Sequence, residues 1–471
     1  MKVQQIYTGC LAHAAYYLES NGEAAIFDPL REVQPYIDRA KRDNADIKYV
    51  FETHFHADFV SGHIDLAKKT GAKIVFGPTA KPAYDAIVAE DGQEFKVGKY
   101  TVRAIHTPGH TKESTCYLLI DETGHEHGII TGDTLFIGDV GRPDLAQHVF
   151  SDLTEEKLAG WLFDSLRNKI MTLPDHLVVY PNHGAGSACG KKMSKETIDT
   201  LGNQKKTNYA LRADMTKEEF IKELLTGLTA PPGYFPKNVL MNIKGYDSID
   251  EVLDRGLKAL RPAEFEILAN ETGALMLDTR APEVFSKGFV PNSINIGIDG
   301  NFAMWVGELI PDIKQEILII AEPSREEEVV TRLARVGYDF AIGYLKGGFD
   351  AWKAEGREVD TINRITADEL AEKVKSGDVL VFDVRKKSEF DSEHLLMAHN
   401  TPLNQINQHL ADFPKDKPFV LHCAGGYRSM IAASILKQRG WDNFVDVVGG
   451  FSELAKTEIP KSEYVCPSTL L

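Results

Sequence analysis

Residues 47–58, IKYVFETHFHAD, run an apolar stretch straight into three potential metal ligands, His54, His56 and Asp58, spaced two apart. The run is rich in β-branched and aromatic residues and reads as a strand. Polar residues at the C-terminal end of a strand lie where open α/β sheets build their sites. Further short apolar runs follow the same plan up to about residue 230: AKIVFGP, YTVRAIHTPGH, CYLLID, HGIITGDTLF and LVVYPNH. They end on His110, Asp133 and His183, and together they predict a layered α/β domain with its chemistry at one sheet edge.

Composition narrows the function classes. At 471 residues the chain is too long for one ordinary core, and two to four domains are expected. A formal net charge of -16 gives a field that repels nucleic acid and acidic membrane surfaces. No stretch approaches the roughly 18 unbroken apolar residues that cross a bilayer, and the N-terminus lacks the apolar block of a signal peptide. A cytoplasmic location is therefore expected. Five widely spaced cysteines, Cys10, Cys116, Cys189, Cys423 and Cys466, contain no C-x-x-C pair, so neither a disulfide framework nor a zinc knuckle is indicated. Cys10, Cys116 and Cys466 read as packing or tail residues.

The Pro- and Gly-rich segment TAPPGYFPKN, 229–238, marks a domain boundary. Beyond it the chain repeats itself. ALMLDTRAPEVFSKGFVPNSINI (274–296) matches VLVFDVRKKSEFDSEHLLMAHNTPL (379–403), and LKGGFDAW (345–352) matches VVGGFSEL (447–454). A period near one hundred residues means duplicated domains rather than a solenoid. The expected organisation is a first domain over 1–230, a linker over 231–260, and two similar α/β domains over 261–360 and 361–471.

The order and spacing of THFHAD, PGHT, TGD and YPNHG resemble the metallo-β-lactamase superfamily across residues 1–210. Within it the sequence most resembles the persulfide dioxygenases, relatives of the glyoxalase II thioesterases. The resemblance implies an αββα sandwich and one Fe(II) per chain held by His54, His110 and Asp133. Two histidines and a carboxylate on one face leave iron open to both substrate and dioxygen. His56, Asp58 and His183 would then orient ligands, water or substrate. A dinuclear relative builds its second metal site from Asp58, residue 59 and His183, with Asp133 bridging. Phe59 has no lone pair to offer, so that site is one ligand short, which favours a single metal. His63, four residues on, reads as a helix-surface histidine.

Two loops near this set carry further candidates. Arg142 and Asp144 in GDVGRPDL read either as a Gly/Pro turn with a surface ion pair or, as the resemblance implies, as part of the pocket wall, with Arg142 touching substrate or fixing that wall. Cys189 in HGAGSACGK lies six residues after His183; it is either a buried packing residue or a thiol whose acidity Lys191 and Lys192 raise.

The last stretch, FVLHCAGGYRSMIAASILKQRGW (419–441), is a strand, a short loop opening with Cys423, and a helix. Backbone N–H groups in such a loop and at the helix start cradle an anion and favour a thiolate. Arg428 can add full positive charge for an anionic sulfur substrate. With the D-V-R strand at 383–385 and the closing GGF, the segment resembles the rhodanese family. A C-x5-R phosphatase loop is one residue longer. In the first repeat Cys423 falls on Ala321, so that copy lacks the nucleophile.

The whole layout is similar to multidomain persulfide dioxygenase-sulfurtransferases. That similarity implies a low-molecular-weight persulfide of glutathione or coenzyme A type and O2 as substrates, sulfite and thiosulfate as partners of the sulfur-transfer step, and a role in sulfide detoxification. The alternative is a glyoxalase II-like thioester hydrolase with two zincs. No motif demonstrates self-association, though a large acidic chain with an idle domain is compatible with a homo-oligomer.

Overall fold

A computed structural model describes residues 3–145, 153–228 and 230–466. Thr229, at the start of the Pro- and Gly-rich stretch, lies outside them. The chain divides into two compact units, one of residues 1–252 with 331–339 and one of 253–330 with 340–471.

The first unit holds two six-stranded sheets. One has β1 (Val3–Thr8), β2 (His13–Ser20), β3 (Glu23–Phe27), β4 (Asp46–Phe51), β5 (Lys73–Phe76) and β6 (Ile87–Val88) in sequence order. The other has β7 (Glu94–Val97), β8 (Tyr100–His106), β9 (Thr115–Ile120), β10 (Glu126–Gly132), β11 (Val178–Pro181) and β12 (Asp199–Thr200), also in unbroken order. The period-2 rule explains how they stack. Along β2, Ala14, Tyr16 and Leu18 face a core shared with Tyr117, Leu119 and Ile130 of the second sheet. Ala15 and Tyr17 face the other way, onto a core that includes Tyr36, Ala40 and Leu66 from helices Gln34–Arg42 and His63–Thr70. On β9 the same alternation sends Cys116, Leu118 and Ile120 outward against helices Glu155–Ser165 and Lys217–Leu225. The layers are therefore helix, sheet, sheet, helix.

The segment expected to join domains, 231–260, carries helices Phe235–Lys244 and Ile249–Gly256. The first of them belongs to this unit through Asn242. Its amide donates to the carbonyls of His56 and Phe59, and its Oδ1 accepts from Ser61 N–H.

The second unit contains two five-stranded parallel sheets. One is ordered β13-β17-β16-β14-β15, where β13 is Ala259–Leu260, β14 Leu275–Asp278, β15 Ile294–Asn295, β16 Ile317–Ile320 and β17 Ala341–Leu345. The other is ordered β18-β22-β21-β19-β20, with β18 Arg364–Ile365, β19 Leu380–Asp383, β20 Ala398–Asn400, β21 Phe419–His422 and β22 Phe444–Val447. The two orders are the same permutation, which is the repeat seen at the level of topology. Equivalent side chains make equivalent bonds. Arg280 clasps Asp278 at 2.6–3.1 Å, and Arg385 clasps Asp383 at 2.6–3.0 Å.

Candidate metal centre and cysteine loop

His54, His110 and Asp133 arrive from three separate strand ends, after β4, β8 and β10, and all three are buried. Their ligand atoms lie within 4.8 Å of one another. His110 Nε2 is 3.4 Å and His54 Nε2 3.9 Å from Asp133 Oδ2. Hydrogen bonds to the other ring nitrogens set the tautomers. His110 Nδ1–H donates to the Arg142 carbonyl at 2.7 Å. Thr53 gives its hydroxyl proton to Asp28, so its oxygen accepts from His54 Nδ1–H at 2.9 Å. Both Nε2 atoms are thereby lone-pair donors facing Asp133. Burial, then the surrounding imidazoles, hold His54 well below the usual histidine range, which also keeps it neutral.

Neither oxygen of Asp133 has a hydrogen-bond partner among the described residues, although the residue is buried. Such a group is costly unless something positive meets it. The donor set and the orphaned carboxylate together fit a metal ion.

His183 and Asp58 stand on the other side of Asp133. His183 Nε2 is 3.6 Å from Asp133 Oδ1 and 3.5 Å from Asp58 Oδ2, while its Nδ1–H donates to the Ala12 carbonyl. His56 has turned elsewhere: its Nε2 is 3.0 Å from Asp28 Oδ1 and 3.3 Å from Glu52 Oε2. Burial opposes a charge on that ring, but the hydrogen bonds and charges of the two carboxylates outweigh it, and His56 titrates well above the usual value. Phe59 is fully buried between His13 and His56, with ring centroids 4.3 Å from each.

One expectation is corrected and two open alternatives are narrowed. His63 is not a surface residue; it is fully buried, with Nδ1 3.3 Å from Glu52 and Nε2 2.7 Å from the Tyr84 hydroxyl. Arg142 fixes the wall: its guanidinium holds Asp144 at 2.5 and 2.6 Å, its N–H donates to the Cys189 carbonyl, and its own carbonyl orients His110. The lysines do not acidify Cys189. Lys191 Nζ donates to the carbonyls of Glu223 and Thr226, while burial, then Asp58 and Asp133, push the Cys189 thiol well up. What Lys191 and Lys192 contribute near Cys189 is backbone: their N–H groups both donate to Asp139 Oδ2, at 2.6 and 2.5 Å.

Sequence reasoning missed the residues that hold this set. Asp28 Oδ1 receives Thr53 N–H at 2.7 Å, the Thr53 hydroxyl and His56. Glu52 gathers His56, His63 and Ser61 Oγ. Glu113 accepts Phe55 N–H at 3.0 Å. The one available signal was that Asp28, like Asp133, closes an apolar run.

In the second unit Cys423 follows β21 directly and is 1% exposed, and Gly426 N–H donates to its sulfur at 3.1 Å. Helix Tyr427–Gln438 starts from that loop. The GGF turn closes over it, with Phe451 N–H donating to the Cys423 carbonyl at 2.7 Å. Gly450, at φ 56°, comes so near that a Cβ would stand 2.4 Å from that carbonyl oxygen. Gly348 makes the same approach to the Ala321 carbonyl, so Ala321 occupies the place of Cys423 in the first repeat. The Arg428 guanidinium is paired with both oxygens of Glu389, at 2.5 and 2.8 Å, and its charge also acts on Cys423. The first repeat also touches this loop: the Tyr427 hydroxyl donates to the Gly297 carbonyl at 2.6 Å.

A family model described as the metallo-beta-lactamase superfamily matches residues 8–183, and the rhodanese-like domain model matches residues 261–355 and 366–457. A metallo-beta-lactamase structure from Staphylococcus aureus is 31% identical and covers 73% of this chain and 98% of its own, with a TM-score of 0.64. A probable polyketide biosynthesis zinc-dependent hydrolase of Bacillus velezensis is 30% identical over 37% of this chain and 73% of its own length. A probable hydroxyacylglutathione hydrolase of Schizosaccharomyces pombe is 28% identical over 38% of this chain; the match spans 66% of that relative's length, just under two thirds. Among the described residues no helix is long and apolar enough to cross a membrane.

Proposed function

Because the chain belongs to the metallo-beta-lactamase superfamily and bears two rhodanese-like domains behind that fold, we propose a persulfide dioxygenase joined to a sulfurtransferase. The observation that carries the reading is the pairing of a His54, His110 and Asp133 face with a His56 committed to carboxylates and a Phe59 that offers no donor. Held by those three residues, one Fe(II) per chain would supply the redox chemistry by which dioxygen oxidises a sulfane sulfur. The balanced reaction takes R–S–SH, O2 and water to R–SH, sulfite and two protons, with R of glutathione or coenzyme A type.

The protein's own residues do the arranging. The Arg142 carbonyl and the Thr53 hydroxyl fix the ring orientation of His110 and His54. Phe59, packed against His56, keeps water from the buried side of the set. In the second unit the Cys423 thiolate attacks the terminal sulfur of a persulfide, forming Cys–S–SH and releasing R–S⁻. The Gly426 N–H is placed to stabilise charge on that sulfur. Sulfite then takes the sulfane sulfur as thiosulfate and restores the thiolate; the reverse transfer uses the same atoms.

The test is oxygen uptake with glutathione or coenzyme A persulfide, with metal content, sulfite and thiosulfate measured alongside. His110→Ala is expected to stop oxygen uptake, and Cys423→Ser to keep it while altering thiosulfate turnover. Unchanged thiosulfate formation in Cys423→Ser removes the role given to that loop. A second reading, a thioester hydrolase with two zincs, is favoured by the placement of Asp58 and His183 against the second oxygen of Asp133 and by the hydrolase names of the relatives. It requires thioester hydrolysis and two zincs per chain.

A further inference from the structure

Phe59 leaves a second metal position without a donor from the THFHAD loop, yet three other groups surround that position. Asp58, His183 and Cys189 are all buried, and one ligand atom from each lies within 4.8 Å of the others. Among the described residues His183 Nε2 and Asp58 Oδ1 have no hydrogen-bond partner, although His183 is 2% and Asp58 6% exposed. The Ala12 carbonyl takes the Nδ1 proton of His183, so the orphaned Nε2 is a lone pair aimed at the gap. From these observations we infer that Cys189 supplies the donor that residue 59 cannot, completing with Asp58 and His183 a second site for a thiophilic divalent cation such as Zn2+.

The dimensions suit such an ion. Donors about 2.0–2.3 Å from a tetrahedral zinc stand roughly 3.3–3.8 Å apart. His183 Nε2 is 3.5 Å from Asp58 Oδ2 and 3.6 Å from Asp133 Oδ1. Asp133 thus offers one oxygen to each side, Oδ2 toward His54 and His110 and Oδ1 toward the sulfur-containing set. One nitrogen, one carboxylate and one sulfur form a softer set than the two histidines and a carboxylate opposite, so the two positions discriminate between cations. The Cys189 loop is built rather than loose. Its carbonyl accepts Arg142 N–H, its N–H donates to Ser187 Oγ, and beyond Gly190 Asp139 takes the backbone N–H groups of Lys191 and Lys192. Binding forms an S–metal bond and releases the thiol proton to solvent, with no change of oxidation state.

The inference rests on geometry; a filled second site would remove the argument that Phe59 makes for a single metal, so oxygen uptake rather than the number of ions is what then tests the dioxygenase reading. Its test is titration of the metal-stripped full chain with Co2+, in a Cys423→Ser background so that the rhodanese thiol cannot contribute. Two ions per chain are expected, one of them bringing a sulfur-to-cobalt charge-transfer band and protecting Cys189 from iodoacetamide. Cys189→Ser should lose the band and one ion, and Asp58→Asn, which keeps the thiol, should lose cation protection of Cys189. His110→Ala should keep the band. A single ion in the parent protein, a band that survives Cys189→Ser, or Cys189 alkylation indifferent to Co2+ overturns the site. Absence of oxygen uptake with the band intact counts against the dioxygenase reading alone.

Discussion

Asp28 shows how much of a metal centre lies in residues that never touch the ion. It closes β3 at φ 49°, a left-handed conformation that Asp and Asn tolerate better than other side chains. One of its oxygens then holds the Thr53 backbone, the Thr53 hydroxyl and His56. Asp28→Asn preserves shape and backbone but weakens all three bonds, so metal affinity should fall about 10- to 100-fold with the fold retained, as measured by competition with a chelator. The members of the candidate centre were legible because each motif is a few consecutive residues ending a strand. Asp28, Glu52 and Asn242 were not, because their meaning comes from partners across the fold. Asn242 serves a loop more than 180 positions earlier. His63 misled for the same reason: position four after Phe59 says helix, but only Glu52 and Tyr84 say which way the ring points.

At the level of elements, a buried carboxylate on the last sheet has a measurable consequence. Asp446 on β22 is fully buried beside Arg364 at 2.9 Å, and burial pushes its carboxyl up to about 6 from the ordinary 3.8. Between roughly pH 4 and 6 the folded chain therefore binds a proton that the unfolded chain has lost, and stability falls as pH rises through that window. The contribution is at most roughly 3 kcal/mol. Asp446→Asn should flatten the slope, read as hydrogen-exchange protection of β22 at pH 4.5 and pH 6.5.

The helix that begins at Tyr427 supplies a second prediction at this scale. Gly300 of the first repeat lies so close that a Cβ there would stand 2.3 Å from the Tyr427 ring. Gly300→Ala should push Tyr427, and with it the neighbouring Gly426 N–H, away from the Cys423 sulfur. Sulfur-transfer turnover should drop about tenfold or more while oxygen uptake stays unchanged. The repeat and its missing nucleophile could be read from sequence, since LKGGF and VVGGF align by eye. That the nucleophile-free copy braces the other's loop could not, because Gly297 and Gly300 belong to no motif.

On the scale of the whole molecule, the first unit is not one continuous stretch. Residues 331–339 belong to it, although the sequence places them inside the first repeat. Arg31 is completely buried there, 3.1 Å from Asp339, with a further bond to the Asp247 carbonyl and the Tyr246 ring 3.8 Å from its guanidinium. Arg335 pairs with Glu32 beside it. Removing one partner of a buried pair leaves the other charge uncompensated, so Asp339→Ala should destabilise the first unit by about 3–5 kcal/mol, measured by urea unfolding of the full chain. The Pro and Gly content of 229–238 points to a boundary near 230, whereas the first unit runs on to residue 252, and composition carries no trace of a later segment that returns.

That returning segment also bears on how the protein is made. A ribosome emits the chain from its N-terminus, and the two sheets of the first unit are complete once β12 has emerged. Arg31 meets Asp65, the Asp247 carbonyl and the Tyr246 ring earlier, but its ion pair with Asp339 must wait for a residue more than three hundred positions behind it. The unit that is synthesised first is thus finished late, and its final closure is coupled to the emergence of the repeat that follows it.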